Sequence, residues 1–217
     1  MRQMDFVDEY YADKDLSLLK KLTLVIPTYN RNYYLSRCLW YHAHFPFGEI
    51  IVADSSPEEK KVVNRKTVQK MREMFAANIR YLEYEPETEK YGGDIYRKWG
   101  DAVQHVETEY SIISIDKAFV LPETLSKELT FLEKHEGYSS TSGMWYWIDK
   151  DERDQSKYSY FVARDYRKTE LIETPADSKE RYLLSVHDKI PWLLFSIFRA
   201  KIQKNIYNTI QEHSVND

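Results

Sequence analysis

The chain has 217 residues, of which 42% are hydrophobic and 30% are charged, and its formal net charge is -4. This length fits one domain with a sizeable core, or one domain with a small appendage. The lack of overall basic character argues against a nucleic-acid-binding protein, because such proteins more often carry a basic patch or stripe.

Cysteine content and apolar runs limit the cellular compartment. Cys38 is the only cysteine, so an intramolecular disulfide is excluded and a reducing compartment is indicated. The N-terminus has no apolar signal-peptide core, and the longest apolar run, 192–198, is too short to cross a bilayer. We therefore expect a cytoplasmic protein, and contact with the inner face of the membrane stays open.

Strands and helices alternate along the first part of the chain. Apolar runs predict strands, and apolar residues at helical spacing predict helices. The alternation predicts a mostly parallel sheet with helices on both faces, an α/β fold. Residues 1–20 are expected to form a lead-in segment. The predicted strands are 22–27, 49–53, 79–84 and 110–115, and the predicted helices are 30–43, with Asn30 as the cap, 57–75, 92–106 and 122–136.

The second part of the chain follows a different pattern. The predicted segments are a Trp-rich strand at 138–148, a polar loop at 149–156, a second strand at 158–164, a helix at 175–186, a buried strand or helix at 192–199 and a last helix at 200–211. The last helix carries Ile202, Ile206 and Ile210 at four-residue spacing, which predicts packing on the domain or on a second subunit. Contact with a membrane is the alternative for this helix.

Polar residues follow the first two predicted strands. The first strand runs into P-T-Y-N-R at 27–31, and the second runs into A-D-S-S at 53–56. In open α/β sheets ligands bind in the crevice at the carboxyl ends of the strands, so these ends predict a nucleotide site. The chain has neither G-x-G-x-x-G after the first strand nor G-x-x-x-x-G-K-[ST], which argues against a common dinucleotide fold and against a P-loop.

Three motifs, each at a predicted strand end, together resemble the inverting glycosyltransferase family 2, whose fold is GT-A. They are P-T-Y-N-R, A-D-S-S and I-D-K-A-F-V-L-P-E-T-L at 115–125, and the resemblance covers 21–136 well and the rest loosely. It implies one GT-A-like domain over 1–217, with a nucleotide-sugar-binding half at 21–136 and an acceptor half at 137–217. It also implies transfer of a sugar from a nucleotide diphosphate donor, with UDP as the expected nucleotide, to a glycan or lipid-linked acceptor, with inversion.

The resemblance implies a role for each residue at the strand ends. Asp54 would accept the imide N–H of uracil, and Arg31 would reach a phosphate oxygen. Asp116 would hold a divalent metal, Mn or Mg, on the diphosphate. The other residues assigned to the nucleotide are Pro27, Thr28 and Tyr29 at the base, with Ser55 and Lys98.

The acidic motif departs from the family pattern. Where the family reads much like D-D-D-F-L-L-P, this chain has Asp116 followed by Lys117 and Ala118. Three interpretations stay open. Asp116 binds the metal weakly, or Lys117 replaces the metal beside the leaving group, or catalysis has been lost and the protein only binds a nucleotide sugar or a glycan. The expected cofactor is therefore a weakly held divalent metal, or none.

An inverting transfer also needs a carboxylate base opposite the leaving group. The candidates lie in the second half of the chain, and Glu180 is slightly favoured over Asp149, with Asp151 and Asp188 as the others. For each of them a solvated surface acid is the alternative. A nucleotidyltransferase is a further functional alternative, although P-T-Y-N-R is not the Gly-rich basic loop that such an enzyme normally has.

Overall fold

The computed structural model describes residues 3–86, 94–143, 146–150, 158–162 and 194–214. The chain divides into two compact units, one of Met1–Thr141 with Leu193–Asp217 and one of Ser142–Trp192. That the two units belong to one GT-A-like domain stays a prediction. Within the described ranges, no helix combines the length and the apolar character needed to cross a membrane.

The first unit contains a six-stranded sheet in the order β3-β2-β1-β4-β8-β5. Strand β1 pairs in parallel with β2 and β4, β2 pairs in parallel with β3, and β8 runs antiparallel to β4. The mostly parallel sheet predicted from the sequence is confirmed. The strands are β1 Leu22–Thr28, β2 Glu49–Asp54, β3 Ile79–Glu83, β4 Tyr110–Ile113, β5 Ser140–Ser142 and β8 Ser196–Arg199.

Helices cover both faces of this sheet, which explains why β1 and β2 are buried along their whole length. The helices of this unit are α1 Gln3–Tyr11, α2 Asn32–His42, α3 Glu58–Phe75, α4 Asp94–Gln104, α5 Pro122–Lys134 and α6 Ala200–Ser214, with a 3-10 helix at Ser17–Lys21. On one face of the sheet Leu24 and Ile26 pack with α2, α3 and α5, and on the other face Val25 packs with α4 and α6.

The start of the chain and the start of α2 differ from the sequence prediction. The expected lead-in segment contains α1 and the short 3-10 helix. Asn30 does not cap α2, because the helix begins at Asn32 and Arg31 is the residue before it. Asn30 instead adopts φ 56°, a left-handed conformation that Asn tolerates better than most residues. It turns the chain from β1 into the helix.

The predicted strand at 138–148 is two separate strands. Strand β5 belongs to the six-stranded sheet, whereas β6, Tyr146–Lys150, forms an antiparallel pair with β7, Tyr158–Val162, in the second unit. Asp149, predicted to start a loop, therefore lies in β6. The predicted helix at 175–186 lies outside the described residues.

The buried face of α6 also differs from the predicted apolar stripe. Gln203 and Tyr207 are fully buried, while Ile202 and Ile206 are only half-buried. Tyr207 packs with α4 residues and with Val25 of β1, so the helix covers the sheet as expected, but through a different set of side chains. The Gln203 amide oxygen accepts a hydrogen bond from the Ser111 hydroxyl at 2.6 Å, which explains how a polar residue is accommodated there.

Gly48 provides a test of packing at the start of β2. Its N–H lies 2.9 Å from the Leu19 carbonyl oxygen and 3.0 Å from that of Leu22. A Cβ at this position would clash with the Lys20 carbonyl oxygen and lie 2.7 Å from Thr108 Cγ2. We expect Gly48→Ala to lower the free energy of unfolding by about 1–3 kcal/mol, measured by urea denaturation.

Gly137 is the matched control for this substitution, because a Cβ there would meet nothing within 4 Å. We expect Gly137→Ala to change the free energy of unfolding by less than about 0.5 kcal/mol. Equal stability of the two variants would contradict the close backbone approach at Gly48.

Candidate functional site

The carboxyl ends of β1, β2 and β4 bring a group of buried polar side chains together. In the parallel register Thr28 of β1 lies beside Asp54 of β2. Since buried polar groups need partners, such a concentration at one edge of a sheet indicates a built site. Its members, each at most 3% exposed, are Thr28, Asp54, Ser55, Ser56, Lys98 and Asp116.

Asp54 is fully enclosed by hydrogen-bond donors of the protein. One carboxylate oxygen accepts the Ser56 N–H at 2.7 Å, and the other accepts the Asn64 amide at 2.6 Å and the Tyr81 hydroxyl. These bonds tie the end of β2 to α3 and β3. Contact between Asp54 and a uracil ring stays a prediction. The three hydrogen bonds that the carboxylate accepts give it a structural role.

Lys98 reaches from α4 into the same group. Its ammonium lies 2.8 Å from the Ser55 hydroxyl and 3.3 Å from the Thr28 carbonyl oxygen. Burial lowers the pKa of Lys98 to about 8, although the negative charges of Asp54 and Asp116 act in the opposite direction. Lys98 therefore places a positive charge between two buried carboxylates and joins the ends of β1 and β2.

Asp116 follows β4 and is held by Thr28, the last residue of β1, and by Arg31 in the first loop, residues 29–31 between β1 and α2. The Thr28 hydroxyl donates to one carboxylate oxygen at 2.8 Å, and an Arg31 guanidinium nitrogen lies 3.3 Å from the other. Asp116 is 1% exposed, whereas the Arg31 side chain is 51% exposed. Arg31 thus links the buried group to the solvent, where a phosphate could meet its remaining N–H donors.

The remaining predicted nucleotide residues differ in accessibility. Tyr29 is 40% exposed beside Arg31, so its ring faces solvent and can meet a base. Pro27 is buried within β1, opposite Ala53 of β2. Ser55 is fully buried against Lys98. The structure therefore brings all the predicted nucleotide residues to one edge, but only Tyr29 and Arg31 present substantial side-chain surface.

The residues around Asp116 do not fit a self-sufficient divalent metal site. In the described part of the chain, no group of three or more His, Cys, Asp or Glu residues could hold a metal ion. Asp116 already has a cationic partner in Arg31, and the exposed Lys117 follows it. Calcium takes six to eight oxygen ligands, and magnesium requires oxygen ligands in near-octahedral geometry. One carboxylate that is already paired with Arg31 cannot supply such a set.

The predicted catalytic bases do not lie among the described residues of the first unit. Asp149 lies in β6 of the second unit. The other candidates, Asp151, Glu180 and Asp188, lie outside the described residues. The role of each as a base stays a prediction.

Sequence reasoning missed the residues that hold Asp54. Asn64 lies on the buried face of α3 together with Lys61, Val68 and Met71, and Tyr81 lies on β3. An Asn at the spacing of an apolar helical stripe was a usable signal, because a buried amide requires a polar partner. Nothing in the sequence identified that partner as Asp54, ten residues earlier.

Asp54→Asn tests this arrangement. The amide would replace a carboxylate oxygen with a donor that faces the N–H and O–H donors of Ser56, Asn64 and Tyr81. Loss of a charged hydrogen-bond acceptor should lower the free energy of unfolding by roughly 1.5–3 kcal/mol, measured by urea denaturation. Glu59→Gln, at an exposed acid in the first turn of α3, is the control and should stay near wild type.

Comparison with known proteins shows what fold this is. No protein-family model and no curated protein matches the chain. Among solved structures, TarS 1-349 of S. aureus is 17% identical over 85% of this chain and 48% of that chain, with a TM-score of 0.54. The structure of the same protein in complex with UDP-GlcNAc is 17% identical over 85% of this chain and 46% of that chain, with a TM-score of 0.52.

A third similar structure is the mannosyltransferase PcManGT of Pyrobaculum calidifontis in complex with GDP-Man and Mn2+. It is 18% identical over 70% of this chain and 44% of that chain, with a TM-score of 0.48. The chain spans less than half the length of each of these three structures. At these identities the likeness to the two TarS structures, whose TM-scores exceed 0.5, shows the fold, and the expected GT-A-like α/β architecture is confirmed.

Proposed function

We propose that this protein is a glycosyltransferase that binds a nucleotide diphosphate sugar at the ends of β1, β2 and β4. The observation that carries the proposal is the buried group of Asp54, Lys98 and Asp116, from which Arg31 extends into solvent. It occurs on a fold shared with glycosyltransferases, at the edge where α/β sheets bind ligands. By analogy with the TarS complex, a UDP-linked donor is proposed.

The proposed division of labour follows from exposure. Tyr29 would lie against the base, and Arg31 would pair with a phosphate oxygen while it remains in contact with Asp116. Lys98, Asp54 and Ser55 would act indirectly, because they are buried and keep the first loop in place. Such preorganisation reduces the cost of ordering the site when the donor binds.

The proposed reaction forms one bond and breaks one. An acceptor hydroxyl oxygen attacks the anomeric carbon, and the bond from that carbon to the diphosphate oxygen breaks with inversion. The acceptor proton passes to a carboxylate, for which Glu180 and Asp149 remain the proposed candidates. Arg31, and Lys117 on the loop after β4, would offset the charge that develops on the departing diphosphate.

A non-catalytic nucleotide-sugar or glycan-binding protein is the second candidate. The pairing of Asp116 with Thr28 and Arg31, together with the single acid of the motif, favours it. Release of UDP from a UDP-sugar distinguishes the two, because only the enzyme turns its donor over. The acceptor as a glycan or lipid-linked molecule, the cytoplasmic location, membrane contact and homo-oligomerisation stay proposals.

The donor site can be tested by ligand-induced stabilisation. UDP at about a hundred times its Kd should raise the free energy of unfolding by about 2.7 kcal/mol, seen as a rise in Tm. Arg31→Gln should weaken UDP binding roughly ten- to a hundredfold, since a charge-assisted hydrogen bond is lost. Lys70→Gln, at an exposed lysine on α3, is the control. Equal UDP affinity of Arg31→Gln and wild type would remove Arg31 from the site.

The metal requirement can be tested separately. We propose that a divalent ion, where it is needed, enters mainly with the phosphates of the donor, because Asp116 alone is a poor site. Calorimetry should then show weak manganese binding without nucleotide. Lys117→Asp combined with Ala118→Asp should increase the manganese dependence of UDP binding. Tight manganese binding by the wild-type protein without nucleotide would contradict the proposal.

A further inference from the structure

An exposed aromatic surface lies on α2 and on the loop between β4 and α5. We call Tyr33, Arg37, Tyr41 and Phe119 the aromatic–arginine patch. Tyr33 is 68% exposed and Phe119 is 44% exposed. The Arg37 guanidinium carbon lies 5.4 Å from the centroid of the Tyr33 ring and 5.9 Å from that of Phe119. A cation between two solvent-facing rings is an unusual surface, and exposed apolar patches often mark interaction sites.

The position of Phe119 is fixed by the protein beneath it. Its ring makes an edge contact with Tyr41 at 5.2 Å and stacks on His42 at 6.3 Å. The Val120 N–H donates to His42 Nε2 at 3.2 Å, and His42 Nδ1 donates to the Cys38 carbonyl oxygen at 2.8 Å. Burial lowers the pKa of His42 to about 4, so this neutral ring holds the loop against α2.

The charge of the patch is available to a ligand. Within the described ranges, Arg37 lies over the two rings but forms no ion pair and donates no hydrogen bond to the protein. By contrast, Arg65 on α3 pairs with Glu58 and Glu83. Cation–π contact leaves guanidinium N–H donors unused, and those donors match a carboxylate or phosphate well. The patch therefore combines open ring surface with uncompensated positive charge.

We propose that the aromatic–arginine patch binds an acidic glycan. The C–H face of a sugar ring would lie against Tyr33 and Phe119, and a carboxylate or phosphate on the glycan would pair with Arg37. The patch adjoins the donor site, since Tyr33 is two residues after Arg31 and Phe119 is three residues after Asp116. Its assignment as the acceptor site rests on the proposed glycosyltransferase function, whereas glycan binding itself does not.

The chemistry of the patch favours a glycan over a lipid surface. A helix that lies on a membrane presents a broad face of aliphatic and aromatic side chains. Helix α2 instead buries Leu35 and Leu39 in the core and exposes Tyr33 and Tyr34, whose rings carry hydroxyl groups. Flat rings with polar edges and a neighbouring guanidinium suit polyhydroxylated rings that bear an acidic group.

The test compares an acidic and a neutral oligosaccharide of the same length, heptagalacturonate and maltoheptaose, by calorimetry. Wild-type protein should bind heptagalacturonate and should bind maltoheptaose at least tenfold more weakly. Arg37→Gln should weaken heptagalacturonate binding roughly ten- to a hundredfold. Tyr33→Ala should weaken it as well, and Lys70→Gln should not. Because both patch residues are exposed, each variant should keep the wild-type Tm.

UDP affinity, measured on the same variants, separates this proposal from the proposed function. Unchanged UDP binding with lost heptagalacturonate binding supports the patch as a second site. Heptagalacturonate binding that survives Arg37→Gln overturns the proposal even if UDP binds, while absence of UDP binding by the wild type overturns only the acceptor assignment. If maltoheptaose bound as tightly as heptagalacturonate, the proposal that the bound glycan is acidic would be overturned. Patch-dependent flotation with phosphatidylglycerol vesicles, without heptagalacturonate binding, would overturn it in favour of a membrane.

Discussion

The edge of the sheet depends on a buried set of charges that compensate one another. Asp54 ends β2 and Asp116 follows β4, the two strands that flank β1, and both carboxylates act electrostatically on the Lys98 ammonium, which lies 2.8 Å from the Ser55 hydroxyl. Each carboxylate in isolation would be costly to bury, and so would the ammonium. Together with the hydrogen bonds from Thr28 and Asn64, the set is satisfied, which allows polar chemistry to lie directly against the core.

This constraint explains why so few of the predicted site residues are open to solvent. Because the carboxylates are occupied by protein donors, they shape the first loop and are not presented as free ligands. Tyr29 and Arg31 remain as the exposed groups of that loop. The surface that meets a nucleotide would thus be small and rigid, supported by a larger buried layer that fixes its position.

The loop after β4 serves two surfaces at once. At its start Asp116 joins the buried charges, and at its end Phe119 lies over α2 beside Arg37. His42 of α2 accepts a hydrogen bond from the Val120 N–H of this loop, and its own ring is held by a second hydrogen bond to Cys38 within the helix. A donor site and an acceptor surface built on one short, well-held loop would keep a constant distance between them, which group transfer requires.

From β1 to α5, the sequence by itself determined the order of strands and helices, the parallel pairing and the edge where the polar residues gather. These follow from local patterns, because continuous apolar runs that end in polar loops leave few alternatives to a buried parallel sheet. All eight elements expected between β1 and α5 begin within two residues of their predicted start. The cap of α2 was wrong, since a left-handed Asn30 is a turn conformation that no periodicity reveals.

Only the tertiary structure decided what each polar residue does. Asn64 and Tyr81, from two other elements, surround the carboxylate of Asp54, and contact of Asp54 with a base stays a prediction. The stripe on α6 was placed on Ile202, Ile206 and Ile210, but the helix fully buries Gln203 and Tyr207, while Ile210 is only partly buried against the core. The physical reason is the same in both cases. The Asp54 carboxylate and the Gln203 amide oxygen are buried because partners on other elements satisfy them. The pairing of residues far apart in the chain is set by how the elements pack, which local sequence does not encode.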